Sequence, residues 1–132
     1  INRINTDAVR LGQLNLKNLS ELESHLFSQL MQFDSVDTIL FGSQQGDFRL
    51  VDRRKSVLIG GSNSTNFRKI DVYAADINGN RKSLLYIVQP LDVRNRPWYQ
   101  DAAKRGKPGW SKVFPVVDDE ILNINAYRPL YD

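Results

Sequence analysis

IDVYAADINGNRKSLLYIV, residues 70–88, carries the strongest structural signal in the chain. Ile70 to Asp76 and Lys82 to Val88 are rich in β-branched, aromatic and aliphatic side chains, and they flank Asn78-Gly79-Asn80. Asn-Gly is the best short-range hairpin signal, because both residues accept the positive φ that a tight turn between twisted strands demands. Two strands joined by so short a turn are antiparallel. A sheet built from hairpins of this kind is therefore largely antiparallel.

Toward the N-terminus the same reading continues. Val36 to Phe41 is extended and ends at Gly42, Ser43 to Asp47 is turn chemistry, and Phe48 to Val51 returns as a second strand. Ser56 to Ile59 reads as a short extension and Gly60 to Asn66 as a polar loop, whose Asn63-Ser64-Thr65 sequon marks exposure and nothing more. Before the strands the period changes to helical. Ile1, Ile4, Ala8 and Leu11 are spaced three and four apart. A second stripe, Leu19, Leu22, Leu26, Leu30 and Phe33, follows Ser20 and Glu23 spaced as a capping box, so a helix is expected to start there and cover one face of the sheet. His25 lies off that stripe and reads as a partly exposed helix residue.

Toward the C-terminus Pro97 opens a short helix over 98–104 that Gly106 closes. Trp110 to Val117 reads as a strand, Asp118-Asp119-Glu120 as a solvated acidic turn, and Ile121 to Tyr131 as a last extended segment broken by Pro129. Helices segregated at the start and in one crossover, with hairpin-linked strands between, give an α+β fold. It divides into a helical segment over 1–35 and a sheet-bearing part over 36–132, as one domain.

Composition removes several function classes. The 132 residues hold no cysteine and one histidine, so neither a thiolate centre nor a histidine-rich metal site is available. The 18 basic and 15 acidic residues are interleaved, which argues against a nucleic-acid surface despite the net charge of +3. No phosphate loop, dinucleotide-binding glycine pattern or nucleophile elbow occurs, so no catalytic residues, metal or cofactor are assigned and an enzyme is not expected. No run approaches the roughly 20 apolar residues of a membrane span.

The stretch that bears on function is Asp92-Val93-Arg94-Asn95-Arg96-Pro97-Trp98-Tyr99, followed by Gly109-Trp110-Ser111. It puts two guanidiniums and two large aromatics at the mouth of a short helix. Two readings are open. A guanidinium fork can grip a carboxylate while the indole and phenol wall the site, or the aromatics pin the helix to the sheet while Arg96 pairs with a loop carboxylate.

This run, with Phe41 to Phe48 and the closing Pro129-Leu130-Tyr131-Asp132, resembles the signature of Cache sensor domains. The resemblance implies a PAS-like central antiparallel sheet, with N-terminal helices packed on it and a short crossover helix. It implies an extracytoplasmic, periplasmic-side small-molecule sensing domain of a bacterial transmembrane receptor, membrane-anchored and homodimeric, with a histidine kinase, chemotaxis or nucleotide cyclase output. The alternative is a ligand-free dimerisation module of such a receptor, in which the helices of two chains pair. The implied ligand, a small molecule of a kind that can bear a carboxylate, would be held by Arg96, Trp98, Tyr99, Phe114 and Tyr127. The chain departs from the amino-acid-binding pattern at Leu91, Phe114 and Val116, where the family carries other residues. The family also continues into a further strand, so the chain reads as an excised piece. A partner chain, or rearrangement of the last segment, is then expected to cover the sheet, and an isolated chain with a bare long edge would count against that.

Overall fold

The computed structural model describes residues 1–63, 65, 66, 68–89, 91–115 and 121–131. It is an α+β fold. Two helices, α1 (Asn2–Arg10) and α2 (Leu19–Gln32), precede the strands β1 (Thr38–Gly42), β2 (Phe48–Asp52), β3 (Leu58–Ser62), β4 (Ile70–Ala75) and β5 (Arg81–Val88). These five form one antiparallel meander in the order β1-β2-β3-β4-β5, an arrangement consistent with a PAS-like fold. A 3₁₀ turn (Val93–Asn95) and helix α3 (Pro97–Arg105) follow, and then two short ribbons. One ribbon pairs β6 (Gly109–Trp110) with β9 (Ala126–Tyr127); the other pairs β7 (Phe114–Pro115) with β8 (Leu122–Asn123).

Alternation along the strands sends side chains to two different cores. Ile39, Val51 and Ile59 meet Leu22, Leu26, Phe27 and Leu30 of α2. Phe48, Ile70 and Val72 point to the other face, where Val93 and Trp98 close over them. The leucine stripe thus covers the sheet as its spacing predicts. The hairpin also forms as read, with Gly79 at φ 82° in the turn. A Cβ at Gly79 would lie 2.5 Å from the Phe27 ring, so the turn tucks under α2 only because that position has no side chain.

The cap of α2 lies two residues earlier than Ser20. Asn18 Oδ1 accepts from the Glu21 backbone N–H at 3.1 Å, and Asn18 Nδ2 donates back to Glu21 Oε2 at 3.1 Å. Glu23 is instead drawn into the core, 8% exposed. Arg81 donates to it from Nη2 at 2.7 Å and from Nε at 3.1 Å, with Arg49 Nε 3.5 Å away. The Arg81 guanidinium also lies over the Tyr73 ring, 4.7 Å from its centroid. At the far end of α2 the Leu30 and Phe33 carbonyls accept from Arg53, so the last turn is capped from the sheet.

Three other expectations are corrected. Gly60 and Gly61 belong to buried β3 and not to a loop; at Gly61 the Arg49 side chain of the neighbouring strand occupies the space a Cβ would need, while a Cβ at Gly60 would meet only ordinary contacts. Among the described residues, the 110–117 strand is reduced to the pieces β6 and β7. Asp118, Asp119 and Glu120, read as a turn, lie outside the described residues, as does Val116. The last segment, as described, does not move onto the main sheet: it pairs with β6 and β7, and among the described residues no strand pairs with the outer side of the eight-residue β5. Leu84, Leu85 and Ile87 are exposed along that edge.

Candidate functional site

The site grows from the connection between β5 and α3. Asp92 caps the 3₁₀ turn by accepting the Arg94 backbone N–H at 3.0 Å, and the Arg94 guanidinium folds back onto the same carboxylate through Nε at 2.9 Å and Nη2 at 2.7 Å. That pairing holds the Asp92 carboxyl below its ordinary value and raises Arg94 above its own. Arg94 also donates to Gln44 O at 3.4 Å, tying the connection to the β1–β2 turn. The charge of Arg94 is thereby neutralised locally.

Arg96 behaves differently. It precedes Pro97, so its backbone is extended (φ −78°, ψ 145°) and its side chain leaves the helix axis. The guanidinium lies 5.4 Å from the centroid of the buried Phe114 ring, and Nη2 donates to Pro115 O at 3.0 Å. No carboxylate pairs with it among the described residues. Partial burial alone lowers its pKa from the ordinary guanidinium value. It is a partly dehydrated cation with donors to spare and an aromatic floor.

The aromatic pair does the packing. Trp98 and Tyr99 sit edge to face with centroids 6.0 Å apart. Both lean on Gly42 at the end of β1: a Cβ there would be 3.1 Å from the Trp98 ring, 3.2 Å from Tyr99 and 3.3 Å from Val93. Trp98, like Leu40, Leu50 and Leu58, packs against the buried cluster of Phe48, Ile70, Val72 and Val93 on the face of the sheet opposite α2. Burial pushes the Tyr99 hydroxyl up. The pinning reading therefore describes Trp98 and Tyr99, while the anion-gripping reading keeps Arg96. Neither Arg96 nor Trp98 points into bulk water.

The structure brings Arg96 to Phe114 and Trp98 to Tyr99, but it sets Tyr127 elsewhere. Tyr127 stands on β9 against Gly109, in a cleft of about 360 Å³ whose walls include Trp110, Arg128 and Asn2. Gly42 is the residue that sequence reasoning missed as part of the site. It was legible only as a turn glycine, because its partners lie more than fifty residues downstream. His25 is half-buried on α2 and shares a hydrogen bond of 2.8 Å with Asn5 Oδ1, a contact between helices. Among the described residues no group of three or more metal-ligating side chains forms, and no helix is long and apolar enough to cross a membrane.

No protein-family model matches the chain, and neither a curated protein nor a solved structure matches it.

Proposed function

We propose that this chain is the extracytoplasmic sensing domain of a bacterial transmembrane receptor of Cache type, and that it takes a small carboxylate-bearing ligand at Arg96. The observation that carries the reading is the contrast between two arginines of one motif. Arg94 is neutralised by Asp92, while Arg96 rests on Phe114 with no carboxylate beside it among the described residues. A guanidinium in a half-dry, aromatic-floored position binds a carboxylate more strongly than one in water, since it is already partly stripped of solvent and the local dielectric is lower. The motif's resemblance to Cache domains and the α+β fold support the receptor context. Membrane anchors, a periplasmic location and a kinase or cyclase output belong to the proposal. The ligand acts by favouring one of two arrangements of the sheet and its helices.

Thermal-shift screening of organic acids, amines and purines tests it. A true ligand at a hundred times its Kd stabilises by about 2.7 kcal/mol, a rise of several degrees in Tm. Arg96→Ala should abolish that rise. Silence across the acids, or a panel in which Arg96→Ala abolishes no acid's response, rules the reading out.

A second reading, a ligand-free module that pairs through its helices, draws on α1. Ile4 and Leu11 of its apolar stripe are exposed, and only Ala8 of that helix is buried. Sedimentation of wild type and Ile4→Glu would support it if a dimer dissociates in the variant.

A further inference from the structure

A second place in the molecule has the chemistry of a ligand site and uses none of the residues that surround Arg96. The cleft between the start of α1 and the β6–β9 ribbon measures about 360 Å³, within the range of small-molecule pockets. Trp110 stands in its wall 65% exposed, an unusual state for an indole, which ordinarily has much of its surface covered. Arg128 lines the same cleft, and among the described residues no carboxylate pairs with it. Tyr127 is 5% exposed, yet its hydroxyl has no hydrogen-bond partner among the described residues. A buried hydroxyl left unpaired costs about 1–3 kcal/mol and calls for an explanation. Asn2 donates its side-chain amide N–H to Ala126 O at 3.1 Å, bracing α1 against the ribbon at the cleft wall.

We infer that this cleft binds a small aromatic carboxylate. The ring lies on the Trp110 indole, the carboxylate pairs with the Arg128 guanidinium, and the unpaired Tyr127 hydroxyl donates to an acid oxygen. Gly109 permits this arrangement, since a Cβ there would come within 2.7 Å of Tyr127 Oη and fill the space above the phenol. An aliphatic anion would engage the cation but gain nothing from the indole, and an aromatic amine would meet like charge. The inference is independent of ligand binding at Arg96.

The chain has two tryptophans, Trp98 and Trp110, so a nitrogen-15 spectrum contains two indole N–H signals, one for each proposed site. Benzoate is the probe, acetate its ring-less control, and Trp98→Phe assigns the signals. Benzoate should move the Trp110 signal saturably at millimolar concentration and leave the Trp98 signal in place, with acetate at least about tenfold weaker. Arg128→Gln should weaken the benzoate effect about tenfold or more, whereas Arg96→Ala leaves it intact. An unmoved Trp98 signal in Arg128→Gln reports that the fold persists. The inference fails if the Trp110 signal does not saturate up to about 10 mM benzoate, if acetate matches benzoate, or if the effect survives Arg128→Gln.

Discussion

Replacing Glu23 by Gln removes one negative charge from a place where two guanidiniums converge. The carboxylate is held by Arg81 at 2.7 Å and approached by Arg49 at 3.5 Å, and the Arg49 side chain keeps only 12% of its surface. Burial already lowers the Arg49 pKa, and the charge of Glu23 is the main influence acting against that. Without it, two like charges face each other across α2 with an amide between them. Breaking a buried pair by removing one partner costs about 3–5 kcal/mol. Arg81 keeps 35% of its side-chain surface for water, which places the expected loss near the lower limit, about 3 kcal/mol. For a domain of this size that lowers Tm by roughly 10 °C. Urea unfolding followed by circular dichroism should show the midpoint falling with an unchanged m-value, because the surface exposed on unfolding stays the same. Arg81→Gln should cost at least about 1 kcal/mol less, since Glu23 then keeps Arg49. A loss below about 1 kcal/mol for Glu23→Gln, or a larger loss for Arg81→Gln, would refute the account of Glu23 as the charge that holds α2 on the sheet.

Three further outcomes are expected. Gly79→Ala should destabilise by about 3 kcal/mol, adding the Phe27 clash to the cost of positive φ, whereas Gly12→Ala, at φ 70° with open space around it, should cost only about 1 kcal/mol; chemical denaturation compares the two, and equal losses would show that the Phe27 contact is unimportant. The Asp76 carboxylate is held below its ordinary pKa first by the Asn80 backbone N–H and also by that of Asn78, so the turn's support is complete above the unfolded value near 3.9 and disappears as pH falls through the lower folded value. Amide shifts of Asn78 and Asn80 should titrate in that acid range and stay flat in Asp76→Asn. Leu85→Lys, on the exposed edge strand, should delay aggregation in light scattering while changing stability by less than about 0.5 kcal/mol, and unchanged aggregation would mean that the β5 edge is not the sticky surface.

The parts of this fold that sequence made legible are those set by local chemistry. Asn78-Gly79 announces its own turn, and the leucines of α2 recur at the spacing that one face of a helix requires. Where the structure departs, a distant residue has intervened. Gly60 and Gly61 read as loop because glycine is poor strand material, yet both lie in β3, and Gly61 makes room there for the Arg49 side chain. Ser20 and Glu23 satisfy the capping pattern, yet Arg81, fifty-eight residues away, takes Glu23 into the core and Asn18 caps the helix instead. Tyr127 was grouped with Arg96 by resemblance, and the ribbon pairing of β6 with β9 carries it to another cleft.

The Arg96 motif shows how one short stretch divides its labour. Pro97 forces the preceding backbone to be extended, so residue 96 cannot lie along the helix that residues 98 and 99 begin. The two aromatics inherit the helix and are directed onto Gly42, where their area is spent on packing. The guanidinium is sent the other way, over Phe114, and its one described acceptor, the Pro115 carbonyl, leaves most of its donors unused. A ligand at Arg96 would therefore meet the guanidinium from the side away from its Phe114 floor, with Trp98 fixing the height of the helix and not stacking on the ligand. Substituting Trp98 acts on such binding through the position of α3, and substituting Arg96 acts on the charge itself. That difference follows from the proline between them.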